Sequence, residues 1–261
     1  MKSNKTALVT GASSGVGFEF AKILANDGYD LVIVSQNSEK LDQARSDIAN
    51  EYDVNVVAIV KDLSKDNSAE EVFQIVNNQG MTINTLINNA GFGDHGRFNE
   101  TNWGKENNMI HLNIIALTRL TKLFLPKMIE SKDGKIVNVA STAAFQAGPF
   151  MSVYYATKAF VLHFSEAIAN ELKGSGVTVT ALCPGGTKSG FQDASNVNGI
   201  RLIRNGKLAT PKEVAEYGYQ SMLKGKSVAI HGFKNKVMAF LVRLAPRKVS
   251  TDMAGKLMEK Q

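Results

Sequence analysis

The sequence predicts an α/β protein built on a doubly wound parallel sheet, and three observations support this. Short apolar runs alternate with segments of helical periodicity from the first residues onward. The runs are nearly continuous in Val, Ile and Leu, which is typical of strands that are covered by helices on both faces. A glycine-rich turn follows the first run, where an open parallel sheet places its ligands. The pattern indicates about seven strands and a helical extension at the C-terminus.

Each apolar run is predicted to be a strand because of its length and the turn residues at its ends. The predicted strands cover residues 7–10, 31–35, 54–60, 85–88, 135–140, 177–182 and 227–231. The segments between them predict helices, for example over 17–26 and 38–51, because apolar residues recur there every three or four positions. The result is a βα repeat.

The chain predicts a single domain over residues 1–261, since no linker, repeat or low-complexity tract interrupts the βα series. Its core is expected over 5–231. Residues 187–209, rich in Gly, Ser and Asn, do not follow the alternation of strands and helices and are expected to form a substrate lid. Residues 232–261 are expected to form a basic amphipathic extension.

Composition excludes several classes of protein. With 44% hydrophobic and 21% charged residues, the chain is neither disordered nor collagen-like. The single cysteine, Cys183, cannot form an intramolecular disulfide, which favours a reducing compartment. No apolar run approaches the roughly 18 to 20 residues of a transmembrane helix, and the N-terminus lacks the apolar core of a signal peptide. We therefore expect a cytoplasmic protein with no transmembrane segment.

Positive charge is concentrated at the C-terminal end. The net charge is +6, and residues 201–261 hold 13 Lys and Arg against 4 Asp and Glu. No nucleic-acid-binding motif accompanies these cations, so nucleic acid is not expected as a partner. Val237, Phe240, Leu241 and Leu244 recur at helical spacing and predict an amphipathic helix. The role of this helix remains open between three alternatives. It packs on its own subunit or on a partner subunit, makes weak contact with an anionic membrane surface, or forms a gate over the substrate.

Several motifs lie where predicted strands end. Glycines 11, 15 and 17 follow the first strand and open a helix, an arrangement that lets the backbone approach a pyrophosphate. Their spacing differs from G-x-G-x-x-G, so a purely structural turn is the alternative. Tyr154 and Lys158 are four residues apart on one helix face. A lysine cation beside a phenol lowers its pKa from about 10, which suits proton transfer.

Six motifs occur in one order along the chain: Thr10-Gly-x3-Gly-x-Gly17, Asn88-Asn-Ala-Gly91, Asn113, Ser141, Tyr154-x3-Lys158 and Pro184-Gly185. Together they resemble the short-chain dehydrogenase/reductase family over about residues 5–231. The resemblance implies that Tyr154 is the general acid/base and that Ser141 orients and polarises a substrate carbonyl. It further implies that Lys158 lowers the Tyr154 pKa and holds the nicotinamide ribose, while Asn113 anchors a proton-relay water.

The resemblance also implies a cofactor site and an assembly. The expected cofactor contacts are Gly11, Ser13, Ser14, Gly15, Val16, Gly17, Ser35, Gln36, Asp62, Leu63, Asn89, Ala90, Gly91, Tyr154, Lys158, Pro184, Gly185, Thr187 and Ser189. Thr187 and Ser189 are alternatives, because the turn after Pro184 departs from the family's Pro-Gly-x-Val-x-Thr. The family assembles through helices corresponding to 103–129 and 154–172, which implies a homo-oligomer, a dimer or a tetramer.

The expected function is an NAD(P)-dependent oxidoreductase that interconverts a carbonyl and an alcohol on a small-molecule substrate. NADP is favoured over NAD because Ser35-Gln36-Asn37 offers no carboxylate to repel a 2′-phosphate, although the arginine typical of NADP binding is also absent. The isolated histidines predict no metal site. A non-catalytic dinucleotide-binding sensor or scaffold, and a lipid or membrane-surface module, are the alternatives. Substrate choice is expected to depend on residues 94–98, 145–152 and 187–209.

Overall fold

A seven-stranded sheet, parallel throughout, forms the centre of the molecule, which the computed structural model describes over residues 5–197, 200 and 208–259. The strands are β1 Thr6–Thr10, β2 Asp30–Ser35, β3 Val56–Val60, β4 Ile83–Asn88, β5 Gly134–Val139, β6 Val177–Cys183 and β7 Val228–Ile230. Every predicted strand is present, with ends within two residues of the prediction. The single-domain, doubly wound fold is therefore confirmed, and it is Rossmann-like.

Helices cover both faces of this sheet. They are α1 Gly15–Asn26, α2 Ser38–Glu51, α3 Ser68–Asn78, α4 Trp103–Ile110, α5 Leu117–Glu130, α6 Ser152–Glu171, α7 Phe191–Ala194, α8 Pro211–Leu223, α9 Phe233–Leu244 and α10 Arg247–Met258. A π-helical segment, His111–Ala116, joins α4 to α5, and a 3-10 turn, Thr142–Phe145, follows β5. None of the helices among the described residues is long and apolar enough to span a bilayer.

Alternation along the strands explains why they are apolar throughout. Successive side chains of a strand point to opposite faces of the sheet. In β1, Val9 packs with Phe20 of α1 and Val214 of α8 on one face. Its neighbour Leu8 packs with Phe124 of α5 on the other face. Both faces of the sheet are thus buried, as the nearly continuous apolar runs predicted.

Strand order positions the functional edge. The sheet runs β3-β2-β1-β4-β5-β6-β7, so the chain reverses its direction of growth between β1 and β4. The loops that leave the carboxyl ends of these two strands diverge to opposite faces and open a crevice between them. The glycine-rich loop leaves β1 there, and Asn89 begins the loop that leaves β4.

The C-terminal extension forms two helices where the sequence predicted one. Pro246 separates α9 from α10, and α10 turns back onto the carboxyl edge of the sheet. Ala254 and Met258 of α10 are buried. The Nε2 of His95 donates a hydrogen bond to the Met258 carbonyl at 2.7 Å, across 163 positions of sequence. The end of the described chain is therefore integrated with the edge that carries the glycine loop.

Candidate active site

A cleft of about 580 Å³ crosses the carboxyl edge of the sheet at the β1/β4 switch point. Most of the predicted site residues line it. They are Gly11, Ser13, Ser14, Gly15, Val16, Ser35, Gln36, Asp62, Leu63, Asn89, Ala90, Gly91, Ser141, Tyr154, Lys158, Pro184, Gly185, Thr187 and Ser189. Gly17 and Asn113 lie behind the cleft wall instead of on it.

Thr10, which the sequence analysis did not assign to the site, joins the glycine loop to the end of β4. Its hydroxyl donates to the Ile87 carbonyl at 3.3 Å and accepts from the backbone N–H groups of Asn89 at 2.9 Å and Ala90 at 3.0 Å. The Asn89 side-chain amide donates to the Thr10 carbonyl at 2.9 Å. The two walls of the cleft are therefore held in one fixed geometry.

Gly17 permits a close approach between α1 and the loop that precedes it. A Cβ at this position would lie 2.4 Å from the Gly11 carbonyl oxygen and 2.5 Å from the Asn89 amide nitrogen. Ser14 is the N-cap of α1 and makes no side-chain capping hydrogen bond. The first N–H groups of α1 are thus available to an anion in the cleft, where the positive end of the helix dipole also favours one. This wall fits the pyrophosphate of a dinucleotide.

The outer end of the cleft contains two lysines that the sequence analysis missed. Lys40 and Lys61 both line it, beside Gln36. Asn37 is the N-cap of α2 and accepts from the Lys40 N–H at 2.8 Å, which places Lys40 in the first turn of that helix. Lys61 pairs with Glu71 at 2.5 Å. A lysine in the first turn after β2 is the signal in the sequence that would have identified Lys40.

Small hydroxyls and one carboxylate complete the outer end. The Ser13 and Ser35 hydroxyl oxygens lie 2.9 Å apart, so one donates to the other across the loops after β1 and β2. Asp62 accepts from the Ser64 N–H at 3.0 Å and from its hydroxyl at 2.7 Å. The Asp62 carboxylate is thus oriented by its own loop.

Ser141, Tyr154 and Lys158 meet at the inner end of the cleft. Ser141 follows β5 as the N-cap of the 3-10 turn, and its hydroxyl oxygen accepts from the Ala143 N–H at 3.1 Å. The hydroxyl proton is therefore free to be donated elsewhere. Lys158, one helical turn after Tyr154, donates to the Val139 carbonyl at 2.8 Å, and its Nζ lies 5.8 Å from the centroid of the Tyr154 ring.

Burial controls the ionisation of this pair. It raises the pKa of Tyr154 to about 12, against the opposing effect of a side-chain hydrogen bond between Tyr154 and Ser141. Burial also lowers the pKa of Lys158 from 10.5 to about 8. The expected lowering of the Tyr154 pKa by the Lys158 cation does not emerge, because removal of the phenol from water outweighs it. At neutral pH Tyr154 is a protonated phenol, able to donate.

Asn113 supports the inner end from behind. It lies in the π-helical segment His111–Ala116, a rare geometry that is frequent at functional sites. Its amide donates to the Phe92 carbonyl and to the Thr157 hydroxyl, both at 3.0 Å, and its oxygen accepts from the Phe92 N–H at 3.2 Å. Gly91 packs so closely that a Cβ there would lie 2.9 Å from the Asn113 oxygen and 3.4 Å from Lys158 Nζ. Asn113 therefore links the wall beside Lys158 to α6.

Tyr155 also reaches the cleft, but its surroundings differ from those of Tyr154. A Cβ at Gly148 would lie 2.3 Å from the Tyr155 ring, so this ring is wedged against the loop that precedes α6. The hydrogen bond to Ser141 belongs to Tyr154. The geometry therefore agrees with the spacing argument in favouring Tyr154.

The space beyond Tyr154 is apolar. The side chains that line it are Phe92, Met151, Tyr155, Phe191, Val197, Ile200 and Met258. Two of the three segments predicted to face the substrate contribute, whereas residues 94–98 do not line the cleft. Residues 198–199 and 201–207 of the predicted lid lie outside the described part of the chain. Met258 reaches this pocket from α10, a contribution that no local pattern in the sequence indicated.

Comparison with known proteins gives consistent matches. Residues 5–198 match the family model described as short chain dehydrogenase. Very-long-chain 3-oxoacyl-CoA reductase of Anas platyrhynchos is 34% identical over 188 residues, which are 68% of this chain but only 58% of that protein. Ketoacyl reductase HetN of Nostoc sp. (strain PCC 7120) is 31% identical over 243 residues, covering 93% of this chain and 83% of that one.

A solved structure shows the same fold over almost the whole chain. The short-chain dehydrogenase from Sphingobium yanoikuyae, in complex with NADPH, superposes with a TM-score of 0.82 at 30% identity. The superposition covers 92% of this chain and 94% of that one. Among the described residues, no three His, Cys, Asp or Glu side chains group as metal ligands would.

Proposed function

This chain belongs to the short-chain dehydrogenase/reductase family, and we propose that it is an NADP-preferring reductase of carbonyl groups on substrates with an apolar chain. One observation carries the proposal: the buried Tyr154 phenol meets Ser141 and Lys158 at the inner end of a cleft whose other wall is the glycine loop. A non-catalytic sensor would need the glycine loop but not a protonated, buried phenol that is hydrogen-bonded to a serine hydroxyl.

Each residue at the inner end of the cleft has its own role in the reduction of the carbonyl. A bound nicotinamide cofactor would supply the hydride. Tyr154 is protonated at neutral pH and gives its proton to the carbonyl oxygen as negative charge develops there. Ser141 donates a hydrogen bond to the same oxygen, since its own oxygen is already oriented by the Ala143 N–H. The Lys158 cation stabilises the phenolate that remains, and Tyr154 then regains a proton through the water that Asn113 is proposed to anchor.

The outer end of the cleft supports the preference for NADP. Lys40 and Lys61 place two cations at this end, and the loop after β2 offers Ser35, Gln36 and Asn37 with no carboxylate. A 2′-phosphate is attracted by the cations and meets no repulsion from that loop. Lys40 contributes more than Lys61 to the preference for NADP, because Lys61 is already paired with Glu71.

Cofactor titration by fluorescence tests this preference. We expect NADPH to bind more tightly than NADH, and Lys40→Glu to weaken NADPH binding by about tenfold or more with little effect on NADH. Gln36→Asp should narrow or invert the preference. The matched control is Lys226→Glu, an exposed lysine that does not line the cleft, and it should leave both affinities unchanged. Equal affinities for both cofactors in the unmodified protein would refute the NADP preference.

The apolar pocket supports a substrate with a hydrocarbon chain. In the described residues, Lys158 is the charged side chain that lines the inner end, while Lys40, Lys61 and Asp62 lie at the outer end. The relatives named as a 3-oxoacyl-CoA reductase and a ketoacyl reductase make 3-oxoacyl thioesters the first candidates. We expect kcat/KM in an NADPH-consumption assay to rise with acyl length. A preference for short polar ketones would contradict this substrate class.

Met258 provides a variant for the same assay. Met258→Lys places a cation in the apolar pocket, so long-chain substrates should lose more kcat/KM than short ones. Leu257→Lys is the matched control, because Leu257 is the neighbouring residue of α10 and does not line the cleft. Equal losses for all chain lengths would indicate a general effect on folding.

The remaining parts of the proposal concern organisation. We propose that residues 5–231 form the catalytic core, that 187–209 cover the substrate end, and that two copies pair through α4, α5 and α6. Trp103 of α4, Ile129 of α5 and Phe160 of α6 are exposed at 66%, 40% and 41%, which supports a covered interface. Light scattering should give the mass of a dimer or tetramer. The single, buried cysteine supports a cytoplasmic location.

A further inference from the structure

The C-terminal helix α9 exposes a continuous apolar stripe. Phe233, Val237, Phe240, Leu241 and Leu244 are exposed at 79%, 39%, 61%, 50% and 70%. At about 100° per residue, their positions fall within an arc of about 100° on one side of the helix. The stripe is therefore not the face by which α9 packs on its own subunit, and its side chains are left exposed on the described chain.

The opposite side of α9 holds the helix in place. Ala239 is buried there, and α9 packs against the 3-10 turn Thr142–Phe145. Asn235 donates to the His231 carbonyl at 2.7 Å and packs against Gly185, where a Cβ would lie 2.5 Å from its amide nitrogen. The apolar stripe is thus presented outward by a helix that is fixed next to the catalytic edge.

Cations flank the stripe on both sides. By the same helical geometry, Lys234 lies at one margin and Lys236 and Arg243 lie at the other. All three are exposed, and the adjoining α10 adds Arg247 and Lys248 at its start. Between residues 232 and 259 there are six Lys or Arg against two acidic residues. An apolar stripe bordered by cations is the pattern of a helix that lies in the plane of a membrane interface.

We propose that the α9 stripe docks on an anionic lipid bilayer. The apolar side chains enter the boundary between headgroups and acyl chains, and the flanking cations pair with anionic headgroups. This inference goes beyond the proposed reductase activity and does not depend on it. Docking through α9 would bring the apolar pocket, which α10 lines through Met258, close to the lipid surface.

Charge distinguishes the bilayer from a second copy of the chain. Two α9 helices packed stripe to stripe would bring Lys234, Lys236 and Arg243 of each copy against the same cations of the other. α9 contains no acidic residue to pair with them. Like charges that face each other across an interface cost free energy, whereas an anionic bilayer complements them. The observations therefore favour lipid over self-association.

Flotation of the full chain with vesicles tests the proposal. One vesicle preparation contains equal amounts of phosphatidylglycerol and phosphatidylcholine, and the other contains phosphatidylcholine alone. We expect binding to the anionic vesicles, at least about tenfold weaker binding to the neutral ones, and weaker binding to the anionic ones at about 0.5 M salt than at about 0.05 M.

Two double variants locate the surface. Phe240→Ser with Leu244→Ser should lower the affinity for anionic vesicles by about tenfold or more, because it removes two apolar side chains from the stripe. Both side chains are exposed, so their replacement leaves the hydrophobic core intact. Lys234→Gln with Arg243→Gln should lower it and reduce its salt dependence. Turnover should persist in all of these proteins, because none of the four side chains lines the cleft.

Matched controls come from another exposed surface. Leu223→Ser removes an apolar side chain that is 45% exposed at the end of α8, and Lys224→Gln with Lys226→Gln removes two exposed lysines next to it. Both controls should bind anionic vesicles as the unmodified protein does. Circular dichroism confirms that each variant is folded.

Three results would overturn the proposal. The first is no binding to anionic vesicles by the unmodified protein. The second is binding that the stripe variant and its control reduce equally, which would place the contact elsewhere. The third is a stripe variant whose mass by light scattering is lower than that of the unmodified protein, together with no vesicle binding by the unmodified protein. This result would identify a second copy of the chain as the occupant of the stripe.

Discussion

Replacing the buried Lys158 by Met is expected to change stability by an amount that depends on pH. Lys158 is 5% exposed, and burial lowers its pKa from 10.5 to about 8. The difference corresponds to about 3 kcal/mol, at about 1.4 kcal/mol per pH unit. Below pH 8 the lysine is charged in both the folded and the unfolded protein, so the folded state bears this whole cost.

The sign follows from proton binding. Between pH 8 and 10.5 the unfolded chain holds the Lys158 proton more tightly than the folded protein does, so the free energy of unfolding rises with pH. Met carries no proton and lacks this rise. Met also loses the hydrogen bond to the Val139 carbonyl, at a cost of about 1 to 2 kcal/mol at every pH. We expect the variant to be the more stable protein at pH 7 and to lose about 2 to 3 kcal/mol relative to the unmodified protein by pH 10.

Urea unfolding of the cofactor-free protein, followed by circular dichroism from pH 7 to 10, measures this difference. The matched control is Lys226→Met at an exposed position, whose curve should run parallel to that of the unmodified protein. A stability difference between Lys158→Met and the unmodified protein that stays constant over this range would refute the reasoning. It would mean that Lys158 is solvated or paired in the folded state.

Three further experiments test the site. Tyr154→Phe should lower kcat by about two to four orders of magnitude with cofactor binding largely retained, whereas Tyr155→Phe should do far less; steady-state kinetics that reversed the two effects would contradict the assignment. Gly17→Ala should abolish tight NADPH binding and lower the free energy of unfolding by about 1 to 3 kcal/mol, because the added Cβ meets the Gly11 carbonyl. Fluorescence titration measures the affinity and urea unfolding measures the stability. An unchanged affinity for NADPH would show that the glycine loop can shift to accommodate the Cβ. Thr157→Val removes one hydrogen-bond acceptor of the Asn113 amide, so kcat should fall while the KM for cofactor stays constant; an unchanged kcat would remove Asn113 from the proposed relay.

The sequence by itself determined the fold class and most of the lining of the cleft. Apolar runs without alternation require helices on both faces, and the order of runs and helices requires parallel strands. Parallel strands bring their carboxyl ends to one edge, so motifs far apart in sequence, such as the glycine loop and Ser141, had to meet there. Tyr154 and Lys158 share a face because of their spacing alone.

Only the tertiary structure decided what surrounds each of these groups. The local argument from charge predicted a lowered Tyr154 pKa, yet burial raises it, because desolvation depends on every neighbour and not on the nearest cation. Met258 and His95 meet across 163 positions of sequence, and no periodicity encodes such a contact. Periodicity likewise predicted the apolar stripe of α9 but not its exposure. A repeat of hydrophobic residues specifies a face of a helix, whereas the substance that covers that face depends on where the rest of the chain packs.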